Sequence, residues 1–503
     1  MSPKDISDMA GYVERDEWLE WYAFATLMPR LSNPRVEAAL MHHTLGMFWK
    51  PTLKVDQVFA AELVKKMEGR VDEVVAKTQT TRDAVSGNIS FAALLDDALT
   101  LAGDTITRYQ KEGKPKKDGT PVKLLAIAKD DPQLETLQAH PSQSVRELIE
   151  ARTAVKSWPL HISRVERIVK QAGASGGFLC NPLNYCGAHT GRWSGGERIN
   201  TQNMSSRNKE ELINSIRGLL IAPEDHDLVI VDAAQIEARV TDWFAGEVEW
   251  LEVWKDPKRD PYCEFASTMC GRIVRKPNKA IHPGPLVKYY TKMRGMGKVG
   301  VLGCGFGMGA DKAIGYAQNS YGVDMSVSEA VNLVNTYRRT HQRVCKFWRV
   351  VEQKFKAAAR YGEPSTLEPG LAFYRDGDIT TIKLPSSRTL KYHGVKVSII
   401  GGREQLWMMN KMEHKRIFLW GGTLTENIVQ ATARDLLGIC ILDVERAGYH
   451  VAHHCHDEII EVVPKTKSQA AYEYTLKIMS TPPEWAKGLP LSAEGKIAQK
   501  YGK

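Results

Sequence analysis

Two carboxylate sites, far apart in the chain, have surroundings suited to metal chemistry. The segment DLVIVD is a β-branched strand ending in Asp232. AAQIEARVTDWF continues from it with Ile236, Val240 and Phe244 at helical spacing. An acidic residue at the end of a buried strand serves either as a metal ligand or as a helix N-cap. Downstream, YHVAHHCHDEIIEVV reads as a hairpin with His456, Asp457 and Glu458 at its turn. Adjacent carboxylates at such a turn repel unless a cation or solvent relieves them. Hard divalent cations such as Mg²⁺ take oxygen ligands of this kind. The neighbouring His453, His454, Cys455 and His456 raise a zinc reading, but successive strand residues face opposite sides and do not converge on one ion without other partners.

A third signal is KYYTKMRGMGKVGVLGCGFGMG. GMGKVG satisfies GxGxxG, yet no apolar strand precedes it, and Val299 rather than Ser or Thr follows Lys298, so neither a dinucleotide fingerprint nor a P-loop is supported. Arg294, Lys298, Leu302 and Phe306 recur every fourth residue. On a helix they form one slowly turning stripe about 18 Å long, cations at one end and apolar side chains at the other. That arrangement suits a nucleoside triphosphate. A Gly-rich loop is the alternative, since the glycines weaken a helix.

These residues need a scaffold to bring them together. The 503 residues imply several subdomains, and 43% hydrophobic with 25% charged residues is a soluble globular balance. No apolar run reaches the ~18 residues of a membrane span, and MSPKDISDM carries no apolar signal core. Eight scattered cysteines without a CxxC pair read as free thiols in a reducing compartment. The net charge of +9 and pI near 8.9 favour polyanionic partners. Residues 1–30 read as a helix, 55–110 as mostly helical, and SVRELIEARTAVKSW as a helix carrying Arg146, Arg152 and Lys156. KEGKPKKDGTPVK (111–123) is an exposed basic loop, either merely solvated or in contact with a phosphate backbone.

In these motifs the sequence resembles the family A (polymerase-I-like) DNA polymerases, especially those of bacteriophages. VDAAQIEAR resembles the first palm motif, with Asp232, Gln235, Glu237 and Arg239 in register. Arg294, Lys298 and Gly303 match the fingers-helix motif, and HDE at 456–458 the last palm motif. HTGRWSGGERINTQNM resembles the TGR…QN segment with Arg192, Gln202 and Asn203, and TENIVQATARDLL the helix with a template-facing Gln, here Gln430. The five appear in family order over roughly residues 140–503.

The resemblance implies an α+β fold of right-hand architecture, with an antiparallel palm sheet, helical fingers and a helical thumb. The expected ranges are 1–29 for an N-terminal helix left from the end of an exonuclease domain, 30–170 for the thumb, 171–255 and 425–503 for the palm, and 256–424 for the fingers. It implies template-directed addition of dNTPs to a primer 3′-hydroxyl with two Mg²⁺ ions, held by Asp232, Asp457 and the carbonyl of Ala233, with Glu458 a weaker ligand. Arg294, Lys298, Leu302, Phe306, Glu237, Gln235 and Tyr262 would meet the nucleotide, Lys298 also as proton donor. Arg192, Gln202, Asn203, Gln430, His456, Arg152 and Lys156 would meet DNA. A soluble monomer in the cytoplasm of a virus-infected bacterium is expected, with an exonuclease or processivity partner on a separate polypeptide.

Three positions depart from the family pattern: Leu302 stands for Phe or Tyr, Phe306 for Tyr, and Tyr262 for a phosphate-facing His. MAGYVERDEW resembles the last proofreading motif through Tyr12 and Asp16. A lone Asp cannot assemble a two-metal centre, so no exonuclease activity is expected, and Tyr12 and Asp16 are expected on a helix packed against the thumb. Two other functions remain: a single-subunit RNA polymerase, opposed by the bulk of Glu237, and a non-catalytic DNA-binding protein, opposed by the intact Asp232, Asp457, Arg294 and Lys298.

Overall fold

The structure, a computed structural model, describes residues 2–113, 120–128, 131–204, 210–410 and 414–502. It divides into two units: residues 1–52, 181–196 and 222–499, and residues 53–180, 197–221 and 500–503. Helices and small sheets are mixed, and among the described residues every paired strand is antiparallel. The class is α+β.

The larger unit contains a four-stranded sheet in the order Val451–Cys455, Glu458–Pro464, His226–Ala233, Ala493–Ala498. His226–Ala233 is an inner strand, and its run Leu228, Val229, Ile230, Val231 is buried throughout. Continuous rather than alternating apolarity is the pattern of a strand covered on both faces. The cover includes Leu437, Ile441 and Val444 of the long helix Gly421–Arg446. Helix Pro34–Trp49 joins the same cluster through Leu40 and Met47. It approaches so closely that a Cβ on Gly438 would lie 2.9 Å from a Leu40 methyl. Residues 34–49, within the expected thumb range of 30–170, bury their apolar face against this sheet.

The range 256–424 is helical only in its first part. Residues 365–419 form two sheets, one of four strands and one of three. The N-terminal helix spans Pro3–Leu27 and opens on a Ser2–Asp5 capping box. Along it Tyr12, Trp18, Trp21, Tyr22 and Phe24 are each more than half exposed.

The smaller unit is mainly helical. Helices Gln57–Lys77 and Gln143–Ala174 are amphipathic, with Leu63, Met67, Val71 and Val74 of the first buried at three-to-four spacing. Strands Gln110–Glu112 and Lys123–Leu125 pair at the ends of the basic loop, whose residues 114–119 lie outside the described residues. All eight cysteines are free thiols. No helix among the described residues is long and apolar enough to cross a membrane.

Helix Ile236–Ala245 contains a buried acid. Asp242 is 2% exposed and accepts from Trp254 Nε1 at 2.6 Å. Burial, with a smaller push from Glu247, raises its pKa from 3.8 to about 8. The folded state thus holds a proton that the unfolded state releases near pH 4. This group costs nothing below that pH and destabilises increasingly as pH rises towards 8. Asp242→Asn keeps the acceptor for Trp254. We expect it to stabilise the fold by several kcal/mol at pH 8 and by about a third of that at pH 5. Thermal melts across that range check it; a gain independent of pH would refute the assignment.

Candidate active site

Sheet register brings the distant carboxylates together. Asp232 lies directly opposite Glu458 on one neighbouring strand and opposite Glu494 on the other. Cross-strand partners share a face. The Ala233 amide donates to the Asp457 carbonyl oxygen at 2.9 Å, which ties the hairpin turn to the end of the Asp232 strand. That turn is a two-residue loop, His456–Asp457, between the strands ending at Cys455 and starting at Glu458. His456 takes φ +57°, a left-handed conformation costing a non-glycine residue about 1–2 kcal/mol. Glu458 belongs to the second strand rather than to the turn.

The cluster is rich in negative charge. Burial raises Asp457 to about 6, and Glu237 and Glu458 push in the same direction against the opposing pull of Arg192. A carboxylate so placed is stabilised in its charged form by a cation. Among the described residues no three His, Cys, Asp or Glu side chains already meet in a group able to hold a metal ion. Two carboxylates and a carbonyl nevertheless fit Mg²⁺, which keeps several waters and takes further oxygens from substrate phosphates. His453 meets Asn181 Nδ2 through Nδ1 at 2.7 Å, and His454 stands edge-on to Trp193 with ring centroids 4.5 Å apart.

Arg192 and Glu237 pair with each other, Nη2 to Oε1 at 2.6 Å. Gln430 donates to Glu426 at 3.1 Å. Glu426 is raised above the usual carboxylate range by burial and by the charge of Glu237. Arg192 sits on a segment held from behind: Arg388 reaches the Thr190 carbonyl at 2.9 Å, and Arg434 the Gly191 carbonyl at 3.1 Å. Arg434 is 2% exposed and also grips both carboxylate oxygens of Glu37. Gln235 takes φ +51° at the strand-to-helix turn. Arg239 locks that turn by donating to the carbonyls of Ala234, Trp254 and Pro490.

The cations of the fingers motif sit on aromatic rings. Arg294 donates to Asp260 Oδ2 through Nε and Nη2 at 2.9 and 2.8 Å, and lies 5.2 Å from the Tyr262 centroid. Lys298 Nζ is 5.8 Å from Tyr262 and 5.6 Å from Tyr321. Tyr262 is 5% exposed, so it is a platform beneath the cations rather than a surface ligand. The expected single stripe does not persist. The α-helix ends at Lys298, a π-turn continues over Val299–Gly303 and a 3₁₀ turn over Cys304–Phe306. Five or three residues per hydrogen-bonded step, instead of four, rotate the side chains beyond Lys298 off the line of the helix. Leu302 packs with the cluster containing Phe265 and Tyr337, and Phe306 with that containing Leu424 and Ile428. The glycines are packing contacts: a Cβ on Gly297 would strike the Tyr262 carbonyl, and one on Gly300 the Phe265 ring.

The other expected DNA contacts lie in the smaller unit. Arg152 is 9% exposed, and its guanidinium donates to the carbonyls of Val85 and Gly87 at 2.6 and 3.2 Å and to Asn88 Oδ1 at 2.5 Å. That corrects its expected place on the surface: a long helix buries one face, and Arg152 falls on it. Arg146 likewise meets the Pro141 carbonyl at 2.7 Å, whereas Lys156 is exposed. Gln202 is buried and Asn203 exposed on a 3₁₀ turn, Thr201–Asn203. Sequence reasoning missed Asp260, Glu426, Glu494, Arg388 and Arg434. Asp260 alone carried a signal, an Asp before Pro at a helix start, where it caps Cys263.

The model of DNA polymerase family A matches residues 61–366. A DNA polymerase of Bacillus phage SP02 is 32% identical over 352 residues, covering 63% of this chain and 52% of the relative; the chain thus spans about half of that protein's length. The fold resembles the POL domain of Pol1 from M. smegmatis, solved in complex with DNA primer-template and dNTP. The TM-score is 0.62 at 15% identity, over 92% of this chain and 70% of that one.

Proposed function

The chain belongs to DNA polymerase family A, and we propose that it extends a DNA primer with dNTPs on a DNA template. The observation that carries this reading is the register that sets Asp232 opposite Glu458 and bonds Ala233 to Asp457. Asp232, Asp457 and the Ala233 carbonyl would hold two Mg²⁺ ions, with Glu458 a weaker ligand. When bound, those ions would neutralise charge at the primer hydroxyl and the triphosphate.

The chain's own part is positioning. Arg294 would leave or share Asp260 to grip the γ-phosphate, kept in place by the Tyr262 ring. Lys298 would neutralise the phosphates and give a proton to the departing pyrophosphate. Arg192, Gln430 and His456 would face the primer terminus and the minor groove, whose acceptors occur at every base pair and report geometry rather than sequence. Asn203 and Lys156, both exposed, would meet the DNA. Primer extension with dNTPs, then with rNTPs, tests the reading. Extension by dNTPs is expected; extension by rNTPs alone would make it an RNA polymerase, and none by either a DNA-binding protein.

Leu302 yields a further prediction. A Tyr at this place can offer a hydroxyl that replaces a missing sugar 3′-hydroxyl, whereas Leu cannot. The enzyme should therefore disfavour dideoxynucleotides, and Leu302→Tyr should narrow the ratio of dNTP to ddNTP efficiency by roughly ten- to a hundredfold. Leu302 is only partly buried, so a longer side chain has room. Single-turnover incorporation measures it; equal use of both nucleotides by the wild type would refute it.

A further inference from the structure

We propose that the outer face of the three-stranded sheet Lys396–Ile400, Arg403–Asn410, Lys415–Leu419 binds single-stranded DNA, in the form of the unpaired part of the template. Alternate strand residues face opposite sides. The row Val397, Leu406, Leu419 turns inward and joins the hydrophobic core. The row beside it, Lys396 opposite Trp407 opposite Phe418, turns outward, as do the pairs Met409–Arg416 and Ile400–Arg403. Among the described residues of these strands, the charges on this outer face are positive: Lys396, Arg403 and Arg416. Glu404 belongs to the inner face and is bound by Lys356 and Arg360 of helix Gln342–Tyr361.

The apolar residues of the outer face are laid out for flat partners. Phe418 and Met409 are 45% and 44% exposed, beside the cations rather than under them. Trp407 is only 8% exposed, and Arg416 lies 4.6 Å and Lys396 Nζ 5.5 Å from its ring centroid. The two cations are thereby held in place above a ring. Exposed aromatic surface interleaved with cations complements the alternation of bases and phosphates in a single strand. A duplex, its bases stacked inside, would leave Phe418 and Met409 unused.

This inference goes beyond the polymerase reading and depends on it only for the source of the strand. The test compares primer–templates with one duplex and 5′ template overhangs of about 2 and about 12 nucleotides, by fluorescence anisotropy without dNTPs. The wild type should bind the long overhang about tenfold tighter, with a salt slope steeper by about 2 for three phosphate contacts. The double variant Arg403→Gln/Arg416→Gln, and independently Phe418→Ser, should abolish that advantage and leave incorporation on the short overhang unchanged. An advantage that survives in both variants, or is absent from the wild type, would overturn the inference. So would a concentration-dependent dimer lost in Phe418→Ser, which would make the face an interface between copies of the chain. Failure to incorporate on either template would count against the polymerase reading and leave the overhang comparison intact.

Discussion

Asp232→Ala and Asp457→Ala are each expected to reduce nucleotide incorporation by at least about a thousandfold, roughly 4 kcal/mol of transition-state stabilisation, while duplex binding should change by less than about threefold. The asymmetry follows from the division of labour in the site. Carboxylates in a crowded acidic cluster attract cations, and the raised pKa of Asp457 records how unfavourable its charge is without one. Duplex affinity, in contrast, depends on cations neutralising phosphates. The Asp457 carbonyl, not its side chain, holds the hairpin to Ala233, so that bond does not depend on the Asp457 carboxylate. Single-turnover incorporation and duplex titration, with melting curves to establish folding, separate the effects. A variant retaining more than about a tenth of wild-type turnover would remove that residue from the metal role.

Glu237→Ala is expected to raise the efficiency of rNTPs relative to dNTPs by about ten- to a hundredfold. The carboxylate is expected to fill the space of a ribose 2′-hydroxyl, and a steric or unpaired polar conflict of roughly 1–3 kcal/mol gives that range. The anchor of this gate is a charged one. Arg192 holds Glu237 at 2.6 Å, and the loop bearing Arg192 is itself fixed by Arg388 and Arg434. Phe306 packs against the cluster around Leu424. Arg192→Ala should accordingly relax sugar selection too, by a smaller factor, as Glu237 gains freedom. The kcat/KM ratios for matched rNTP and dNTP in three proteins decide it. An unchanged ratio in Glu237→Ala would exclude the gate, and an unchanged ratio in Arg192→Ala would exclude its anchoring.

Local pattern was enough for the parts that local physics controls. The strand ending at Asp232, the helix after it and the hairpin around His456 and Asp457 were legible because burial imposes a period on apolar residues and turns select polar ones. Two hairpins were equally legible and overlooked: Gly377–Asp378 and Gly401–Gly402 are the turn dipeptides between paired strands, and all three glycines have positive φ. The order of the motifs pointed to the family. What sequence could not supply was mutual position. That Asp232 faces both Glu458 and Glu494 depends on which strands pair and in what register. A buried guanidinium such as Arg152 or Arg434 looks, in sequence, like any exposed one; only the packed chain reveals which carbonyls and carboxylates it serves. The stripe from Arg294 to Phe306 failed for a related reason. Four-residue spacing assumes a uniform helix, and close approach of Gly297 and Gly300 to the helix Pro261–Cys270 accompanies a π-turn that no local period announces. Residue identity determines the chemistry each side chain can offer; tertiary contacts, which couple residues hundreds of positions apart, decide which offers meet.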